Sequence, residues 1–299
     1  MNELHKKIRH LWWLLRNYIK IAMIYSPVGF IKIKTRFGGI TLVEFRKNGP
    51  LGDIGESIHC IEDKVILRDI NKYGFLDKAT VNFFIDKINV HGEDFDFIDI
   101  GANQGFISIP ILRHLQPKSV AANYHLFEPQ SMYFTCLQKN TEKYQNVNLY
   151  NYGLDCTNNN NKLYRSERNA TATVNPDLAF DSFEKLTSEN CYFKNVYEQI
   201  ENILENNTKD LFIKSDVDHN DWEIFLKLKP LLGYVKAYAL ELQLHNEDFS
   251  SDKKATFIKE IRAFDNFYII NKKGHTVTQF DVPNYILNNS DIVNIYLSK

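Results

Sequence analysis

The chain has 299 residues, of which 36 are lysine or arginine, 37 are aspartate or glutamate, and 44% are hydrophobic. This length is ample for a complete hydrophobic core, and the composition is that of a globular protein rather than a disordered or fibrous one. A net charge of -1 argues against wholesale wrapping of nucleic acid, which requires a broadly basic surface. We therefore expect no nucleic-acid partner.

The segment 1–31 is both apolar and basic. Arg16, Lys20 and Pro27 argue against a membrane-spanning helix, and no small-residue cleavage site indicates a signal peptide. Residues 1–47 contain ten basic and two acidic side chains, a net charge of +8, so the remainder carries -9. The pattern predicts an amphipathic helix that either lies in the headgroup layer of an anionic membrane or packs on the protein's own body.

Two further segments complete an N-terminal accessory region predicted over residues 1–90. Apolar and basic residues alternate over 30–46 on either side of a Gly-Gly pair, which predicts a β-hairpin. Asp77 precedes apolar residues at helical spacing and is expected to cap that helix. The four cysteines lie far apart without a C-x-x-C pair, which favours free thiols in a reducing, cytoplasmic compartment.

Strand-like and helix-like segments alternate from residue 95 onward. The strands are predicted at 95–101, 124–129, 147–155, 210–218, 237–243, 267–271 and 292–297. This alternation predicts an α/β domain over 91–299, with a mostly parallel sheet and helices on both faces. Ligands bind such sheets beyond the carboxyl ends of the strands. The polar segment 158–207 is expected to be a loop insertion, either a substrate lid or surface padding.

A ligand-binding loop is predicted where the first of these strands ends. The loop reads Asp99-Ile100-Gly101-Ala102-Asn103-Gln104-Gly105. Gly101 permits a tight turn, and Gly105 allows close approach of the backbone to a ligand. Glu128 ends the next strand, where a carboxylate can accept hydrogen bonds from both hydroxyls of a ribose. Asp155 ends the third predicted strand and is placed to reach an adenine amino group or the nearby backbone.

The spacing of the glycines and the position of Asp99 help to discriminate between cofactors. The loop has the spacing G-x-x-x-G rather than the G-x-G-x-x-G of nicotinamide dinucleotide folds. Asp99 would repel a pyrophosphate but attract the sulfonium and amino groups of S-adenosylmethionine. Electrostatics therefore favour the methyl donor, and a nicotinamide-dependent oxidoreductase is the less favoured alternative.

Four segments resemble the FkbM-like S-adenosylmethionine-dependent methyltransferases. They are FIDIGANQGFISI (97–109), LFEPQSMYFTCLQKN (126–140), NLYNYGLD (148–155) and IKSDVDHNDWEIFLKLKPLL (213–232). The resemblance implies a class I methyltransferase sheet, with the donor bound at Asp99, Gly101, Asn103, Gly105 and Glu128. With Ala102 in the same loop and Asp155, these residues form the expected donor site. The resemblance also implies methyl transfer to a hydroxyl of a carbohydrate, a glycolipid or a related small molecule.

The segment after the fourth strand departs from the family's K-x-D-V-E-G-x-E pattern. Asp216 and Val217 match it, Asp218 and Asp221 keep the charge on a shorter side chain, and His219 replaces the glycine. The departure affects the expected acceptor pocket and leaves the expected donor site intact. It leaves open the alternative that the protein is a catalytically degenerate binding protein with a methyltransferase fold. Asp221 is expected to cap the helix that follows.

An alcohol acceptor needs a base that removes its proton as it attacks the methyl group. The candidate catalytic residues at strand ends are Asp216, Asp218, His219 and Glu241, and His219 has the ordinary pKa best suited to neutral pH. A divalent metal held by the carboxylates of 216–221 is less favoured, because no H-x-E-x-H-type spacing supports it. We therefore expect a metal-free site.

Overall fold

A computed structural model describes residues 31–37, 40–45, 57–61, 66–67, 70–71, 76–91, 94–115, 122–166, 172–173, 186–206, 209–217, 220–271 and 275–299. The predictions for residues 1–30 and for Asp218 and His219 lie outside these ranges. None of the helices within them combines the length and apolar character that crossing a bilayer requires.

A small antiparallel sheet precedes the α/β domain. Strands β1 (Ile31–Phe37) and β2 (Ile40–Phe45) pair antiparallel, which confirms the predicted hairpin. A third strand, β3 (Ser57–Ile61), pairs antiparallel with β2 and was not predicted. The sequence pattern was sufficient to predict the hairpin, because alternation about a Gly-Gly pair is a local signal.

The α/β domain follows, with helices between most of its strands. Its elements are α1 (Lys78–His91), β4 (Phe95–Ile100), α2 (Ser108–Leu115), β5 (Asn123–Phe127), α3 (Ser131–Thr141), β6 (Val147–Tyr150), β7 (Gly153–Asp155), β8 (Asn159–Ser166), β9 (Ala172–Thr173), β10 (Leu186–Asn195), α4 (Val196–Asn206), β11 (Asp210–Ser215), α5 (Asp221–Lys227), β12 (Val235–Gln243), α6 (Ser251–Ile261), β13 (Asn266–Asn271), β14 (Thr276–Val277), α7 (Val282–Asn288) and β15 (Ile292–Ser298).

The central sheet has eight strands in the order β14-β13-β15-β12-β11-β4-β5-β6. Strands β12, β11, β4, β5 and β6 pair parallel, and β15 runs antiparallel to both of its neighbours, β12 and β13. The chain proceeds from β4 towards one edge and from β11 towards the other. The order therefore reverses between β4 and β11, which is where ligands bind in open α/β sheets. This topology confirms the predicted class I methyltransferase fold.

Each face of the sheet packs against its own helices. In β4, Phe95 and Phe97 join a core with α1, α2 and α3, whereas Ile98 and Ile100 join a core with α4, α5, α6 and α7. Alternate side chains of a strand point to opposite faces, so a buried parallel strand is apolar on both. Helix α1, assigned from sequence to the accessory region, contributes Phe84 to the first of these cores.

Two predicted elements differ in the structure. The predicted strand 147–155 is interrupted: β6 ends at Tyr150, and β7 pairs parallel with β10 outside the central sheet. The expected loop 158–207 contains β8 and β10, which pair antiparallel, and helix α4. Val196, Ile200 and Leu204 of α4 are buried in the core of the central sheet, so this helix belongs to the main fold rather than to an insertion.

Candidate active site

The loop after β4 makes a tight turn at the point where the strand order reverses. Its residues Gly101, Asn103 and Gly105 have φ values of 76°, 52° and 86°. The backbone N–H groups of Gly101 and Ala102 both donate to the carbonyl oxygen of Phe127, at 3.1 and 2.9 Å. The loop is therefore attached to the end of β5, and the predicted donor residues 101–105 lie between the ends of β4 and β5.

The two glycines are required by packing within the protein. A Cβ atom on Gly101 would lie 2.2 Å from the backbone oxygen of Asp216. A Cβ atom on Gly105 would lie 2.9 Å from Ile109 Cδ1 and 3.0 Å from Leu137 Cδ1. Gly105 thus allows side chains of α2 and α3 to approach the loop closely. From the sequence, we expected a ligand to make this close approach.

Asp99 is completely buried and already has a cationic partner. Lys214 Nζ lies 3.0 Å from Asp99 Oδ1 and donates a hydrogen bond of 2.8 Å to the backbone oxygen of Gly101. The Ser108 hydroxyl donates to the other carboxylate oxygen of Asp99. Asp99 is therefore paired with Lys214 inside the protein, and its expected attraction to the sulfonium and amino groups of the donor stays a prediction.

Lys214 is the site residue that sequence reasoning missed. Burial lowers the pKa of its ammonium group, but the carboxylates of Asp99 and Asp216 outweigh that effect, so the net shift is upward. The side chain stays charged and connects the end of β11 to the glycine loop. A signal was available, since a lysine in the buried strand DLFIKS is unusual unless it has an acidic partner.

Glu128 lies at the end of β5 and is held by two backbone groups. Its Oε2 atom accepts from the Asn103 N–H at 2.9 Å, and its Oε1 atom accepts from the Gln130 N–H at 2.8 Å. Burial raises the pKa of Glu128 from 4.5 to about 7, although both N–H groups lower it. The carboxylate is fixed beside the glycine loop, and its remaining lone pairs can accept from further donors.

Asp155 lies in β7, outside the central sheet. Its Oδ1 atom accepts from the Cys156 N–H at 2.7 Å, and its Oδ2 atom accepts from Asn159 Nδ2 at 2.9 Å. Both carboxylate oxygens therefore stabilise the turn between β7 and β8. The expected position at the end of a central strand was wrong, because β6 ends five residues earlier.

A cavity of about 260 Å³ opens at the carboxyl ends of β11 and β12, and we call it the strand-end cavity. Its polar lining includes Asp77, Thr80, Lys214, Asp216, Glu241 and Asn294. Two of the four predicted catalytic residues, Asp216 and Glu241, are thus brought together from neighbouring strands. The side chain of Asp216 is 50% exposed and lies 3.8 Å from Lys214 Nζ.

Asp77 caps helix α1 at the rim of the strand-end cavity, as predicted. It accepts from the Thr80 N–H at 3.2 Å and from the Thr80 hydroxyl at 2.6 Å. It also accepts from Asn294 Nδ2 at 3.1 Å, and the Thr80 hydroxyl is 3.0 Å from the hydroxyl of Tyr296. This network attaches the start of α1 to β15 and forms one wall of the cavity.

Asp221 does not cap helix α5. It is the first residue of that helix, and its carboxylate turns back to accept from the Ser215 hydroxyl and, at 3.2 Å, from the Val217 N–H. Burial raises the pKa of Asp221 to about 7, and the charge of Asp216 acts in the same direction. Asp221 therefore holds the Ser215 side chain and the Val217 backbone on either side of Asp216, and the capping prediction was wrong.

The charges around the glycine loop favour a cationic ligand. Three carboxylates, Asp99, Glu128 and Asp216, lie there with one ammonium group, Lys214, so negative charge is in excess when all are ionised. The glycine loop, the fixed carboxylate of Glu128 and this excess fit S-adenosylmethionine, and the pyrophosphate of a nicotinamide dinucleotide would be repelled. Within the described ranges, no group of three His, Cys, Asp or Glu side chains is arranged to hold a metal ion.

Comparison with known proteins finds structural likeness at very low sequence identity. The chain is similar to the SAM-dependent methyltransferase from Agrobacterium tumefaciens, at 7% identity and a TM-score of 0.43, over 89% of this chain and 72% of that one. It is also similar to the O-methyltransferase from Bacillus cereus in complex with SAH, at 12% identity and a TM-score of 0.38, over 75% and 82% of the two chains.

A third solved structure, the precorrin-6y C5,15-methyltransferase from Geobacter metallireducens, matches at 12% identity and a TM-score of 0.35, over 73% of this chain and 87% of that one. No protein-family model matches the chain, and no curated protein matches it. With TM-scores below 0.5, the fold assignment depends on the strand order and not on these comparisons.

Proposed function

We propose that the protein is an S-adenosylmethionine-dependent O-methyltransferase that acts on a hydroxyl of a carbohydrate, a glycolipid or a related small molecule. The observation that carries the proposal is the strand-end cavity, in which Asp216, next to the glycine loop at the reversal of strand order, is joined by Glu241 of the neighbouring strand β12. Donor and acceptor must meet at such a point for methyl transfer, since proximity and alignment supply most of the catalysis.

The donor half of the site consists of the glycine loop, Glu128 and Asp216. Glu128 would hold the ribose hydroxyls by accepting their hydrogen bonds, and the charge of Asp216 would stabilise the cationic end of the donor. Lys214 balances the buried charge of Asp99 and keeps the loop attached to β11. When bound, the cofactor supplies an electrophilic methyl group on a positively charged sulfur.

The acceptor half of the site consists of the polar side chains of the strand-end cavity, and Asp216 belongs to both halves. An acceptor hydroxyl that is methylated must lose its proton to a base, and Asp216 and Glu241 are carboxylates that line the cavity. The third carboxylate of the lining, Asp77, is engaged in capping α1. Asn294 lies opposite Glu241 in the pairing of β15 with β12 and can orient an acceptor hydroxyl. Asp218 and His219 remain predicted catalytic residues.

Calorimetric titration with S-adenosylmethionine and with its demethylated product tests the donor site. Because the pKa of Glu128 is about 7, its carboxylate is half protonated near neutral pH, and the ionised form accepts from the ribose. We expect donor affinity to be about tenfold weaker at pH 6 than at pH 8. Glu128→Gln should flatten this dependence and weaken binding by about 1.5–3 kcal/mol.

Glu247→Gln is the matched control, because Glu247 is exposed and outside both halves of the site. Absence of binding by either compound in the unmodified protein would overturn the proposal. Donor binding without turnover on a panel of sugars and glycolipids would instead support the degenerate binding protein, which the altered 216–221 segment motivates. Tighter binding of a nicotinamide dinucleotide than of S-adenosylmethionine would support the oxidoreductase alternative.

A further inference from the structure

A second cavity lies on the sheet face that packs against α4, away from the strand-end cavity. We call it the α4 cavity; it has a volume of about 370 Å³, near the lower end of the size range of small-molecule sites. Strands β4, β5 and β6 form its floor, and Gln199, Asn202 and Ile203 of α4 form one wall. None of its lining residues is shared with the strand-end cavity.

The floor of this cavity is polar where a parallel sheet is normally apolar. Asp96, Asn123, His125 and Asn148 occupy adjacent positions on the three strands, with Asp96 paired to Asn123 and His125 paired to Asn148. Farther along the same face, Ile98 and Ile100 are packed into the core. Core packing favours apolar residues on this face, yet Asp96 and His125 of the row are buried there.

The row is organised around the side chain of Tyr150. His125 Nδ1 lies within hydrogen-bonding distance of the Tyr150 hydroxyl, at 3.1 Å, and His125 Nε2 lies 3.4 Å from Asp96 Oδ1. Asn123 Nδ2 donates to the same oxygen of Asp96 at 2.8 Å. Asp96 is fully buried and His125 is 8% exposed, so a rigid polar layer holds the tyrosine that lines the cavity.

The chemistry of the lining excludes anionic ligands and suits a neutral, hydroxyl-rich one. The described residues that line the α4 cavity include no lysine or arginine, so a phosphate or carboxylate would have no cationic partner. Amide groups, two tyrosine side chains and a histidine supply both donors and acceptors. The rings of Tyr150 and Tyr152 supply apolar surface beside them, and a sugar presents hydroxyls and C–H faces in the same way.

We propose that the α4 cavity binds a neutral sugar unit, at a site separate from methyl transfer. The proposal does not depend on the proposed activity, because it rests on the lining of a different cavity. Tyr150 and Asn148 contact the sugar directly, and Asp96 and His125 act as positioning residues behind Tyr150. The backbone oxygen of Tyr150 also accepts from the Glu128 N–H at 3.0 Å, so the two sites are connected through β6 and β5.

Saturation-transfer-difference NMR with the full chain tests the proposal. The probes are D-glucose, D-galactose, D-mannose and N-acetyl-D-glucosamine at millimolar concentrations, with cyclohexanol as a non-sugar probe. We expect saturable binding of at least one sugar, unaffected by S-adenosylmethionine. Tyr150→Phe and Asn148→Ala should each weaken it by about three- to tenfold, the effect of one lost hydrogen bond.

Tyr234→Phe is the matched control, since Tyr234 is an exposed tyrosine outside both cavities and its substitution should leave sugar binding unchanged. Asn148 is exposed, so Asn148→Ala tests the site even if Tyr150→Phe destabilises the fold. Absence of saturable sugar binding, binding of cyclohexanol alone, or sugar affinity unchanged in Asn148→Ala would overturn the proposal.

Discussion

At the scale of single residues, the candidate site depends on how each charge is paired. Asp99 and Lys214 balance one another in the interior, whereas Asp216 lies next to the same lysine and faces the strand-end cavity. Glu128 is held by two backbone N–H groups but retains capacity to accept more. Sequence motifs identify these residues as a set, but which one faces a ligand depends on burial and on partners that are distant in sequence.

Substitution of Gly101 tests whether the glycine loop requires its observed conformation. Gly101→Ala would place a Cβ atom 2.2 Å from the Asp216 backbone oxygen, at a φ of 76° that L-residues avoid. We expect a loss of about 2 kcal/mol or more in the free energy of unfolding, measured by urea denaturation.

Gly233→Ala is the matched control, because a Cβ atom there would meet nothing within 4 Å. Its effect should stay within about 0.5–1 kcal/mol, in either direction. If the two substitutions lower the free energy of unfolding equally, the close approach of Gly101 to the Asp216 backbone is not the reason that the loop needs glycine.

At the scale of elements, the turn between β11 and α5 is shaped by a buried carboxylate. Asp221 joins the end of β11 to the start of α5 through Ser215 and Val217. The sequence pattern at this position is that of a helix cap, which requires only local geometry. Burial of Asp221 under the strand end is a tertiary effect, so the pattern predicted the helix start correctly and the role of the side chain incorrectly.

The raised pKa of Asp221 has a consequence for stability. Between its ordinary value and about 7, the folded state binds more protons at this site than the unfolded state does. The free energy of unfolding should therefore decrease as pH rises from about 4 to 7 and level off above that. In Asp221→Asn this decrease should be smaller, by on the order of 3 kcal/mol.

Urea denaturation at a series of pH values measures the effect, with Asp265→Asn as an exposed control. Glu128 has a raised pKa of the same sign, so the slope should be reduced in Asp221→Asn rather than removed. An unchanged pH slope in Asp221→Asn would contradict the assignment of Asp221 as a buried, proton-binding group.

At the scale of the whole molecule, charge is divided along the chain. Residues 1–47 carry +8 and the remainder carries -9. The acidic part contains the described carboxylates of the candidate site, and the basic part contains the predicted amphipathic segment 1–31. We propose that this segment contacts anionic membrane, since basic residues flank its apolar positions.

Flotation with liposomes tests this proposal. The full chain should float with vesicles that contain anionic lipid, float less at high salt, and remain unbound to neutral vesicles. Deletion of residues 1–31 should abolish flotation, and Arg16→Glu with Lys20→Glu should weaken it in the full-length chain. If the segment instead packs on the protein, the chain will not float and the deletion will lower its stability.

Local patterns in the sequence were sufficient to predict the alternating strands and helices, the hairpin, the glycine loop and the strand-end position of Glu128. Each of these features depends on side-chain periodicity or on turn residues within a few positions of one another. Such local signals do not depend on where the segment lies in the fold. Helix α4 was missed although Val196, Ile200 and Leu204 have helical spacing, because the polar asparagine-rich sequence around it indicated a loop.

Only the tertiary structure decided how distant residues meet. The pairing of Asp99 with Lys214, the joining of Asp77 and Asn294 at one cavity, and the polar row around Tyr150 bring together side chains from different elements. The displacement of Asp155 from the central sheet has the same origin, since β7 pairs with β10. Such contacts depend on strand order and burial, and neither is encoded in the spacing of residues along the chain.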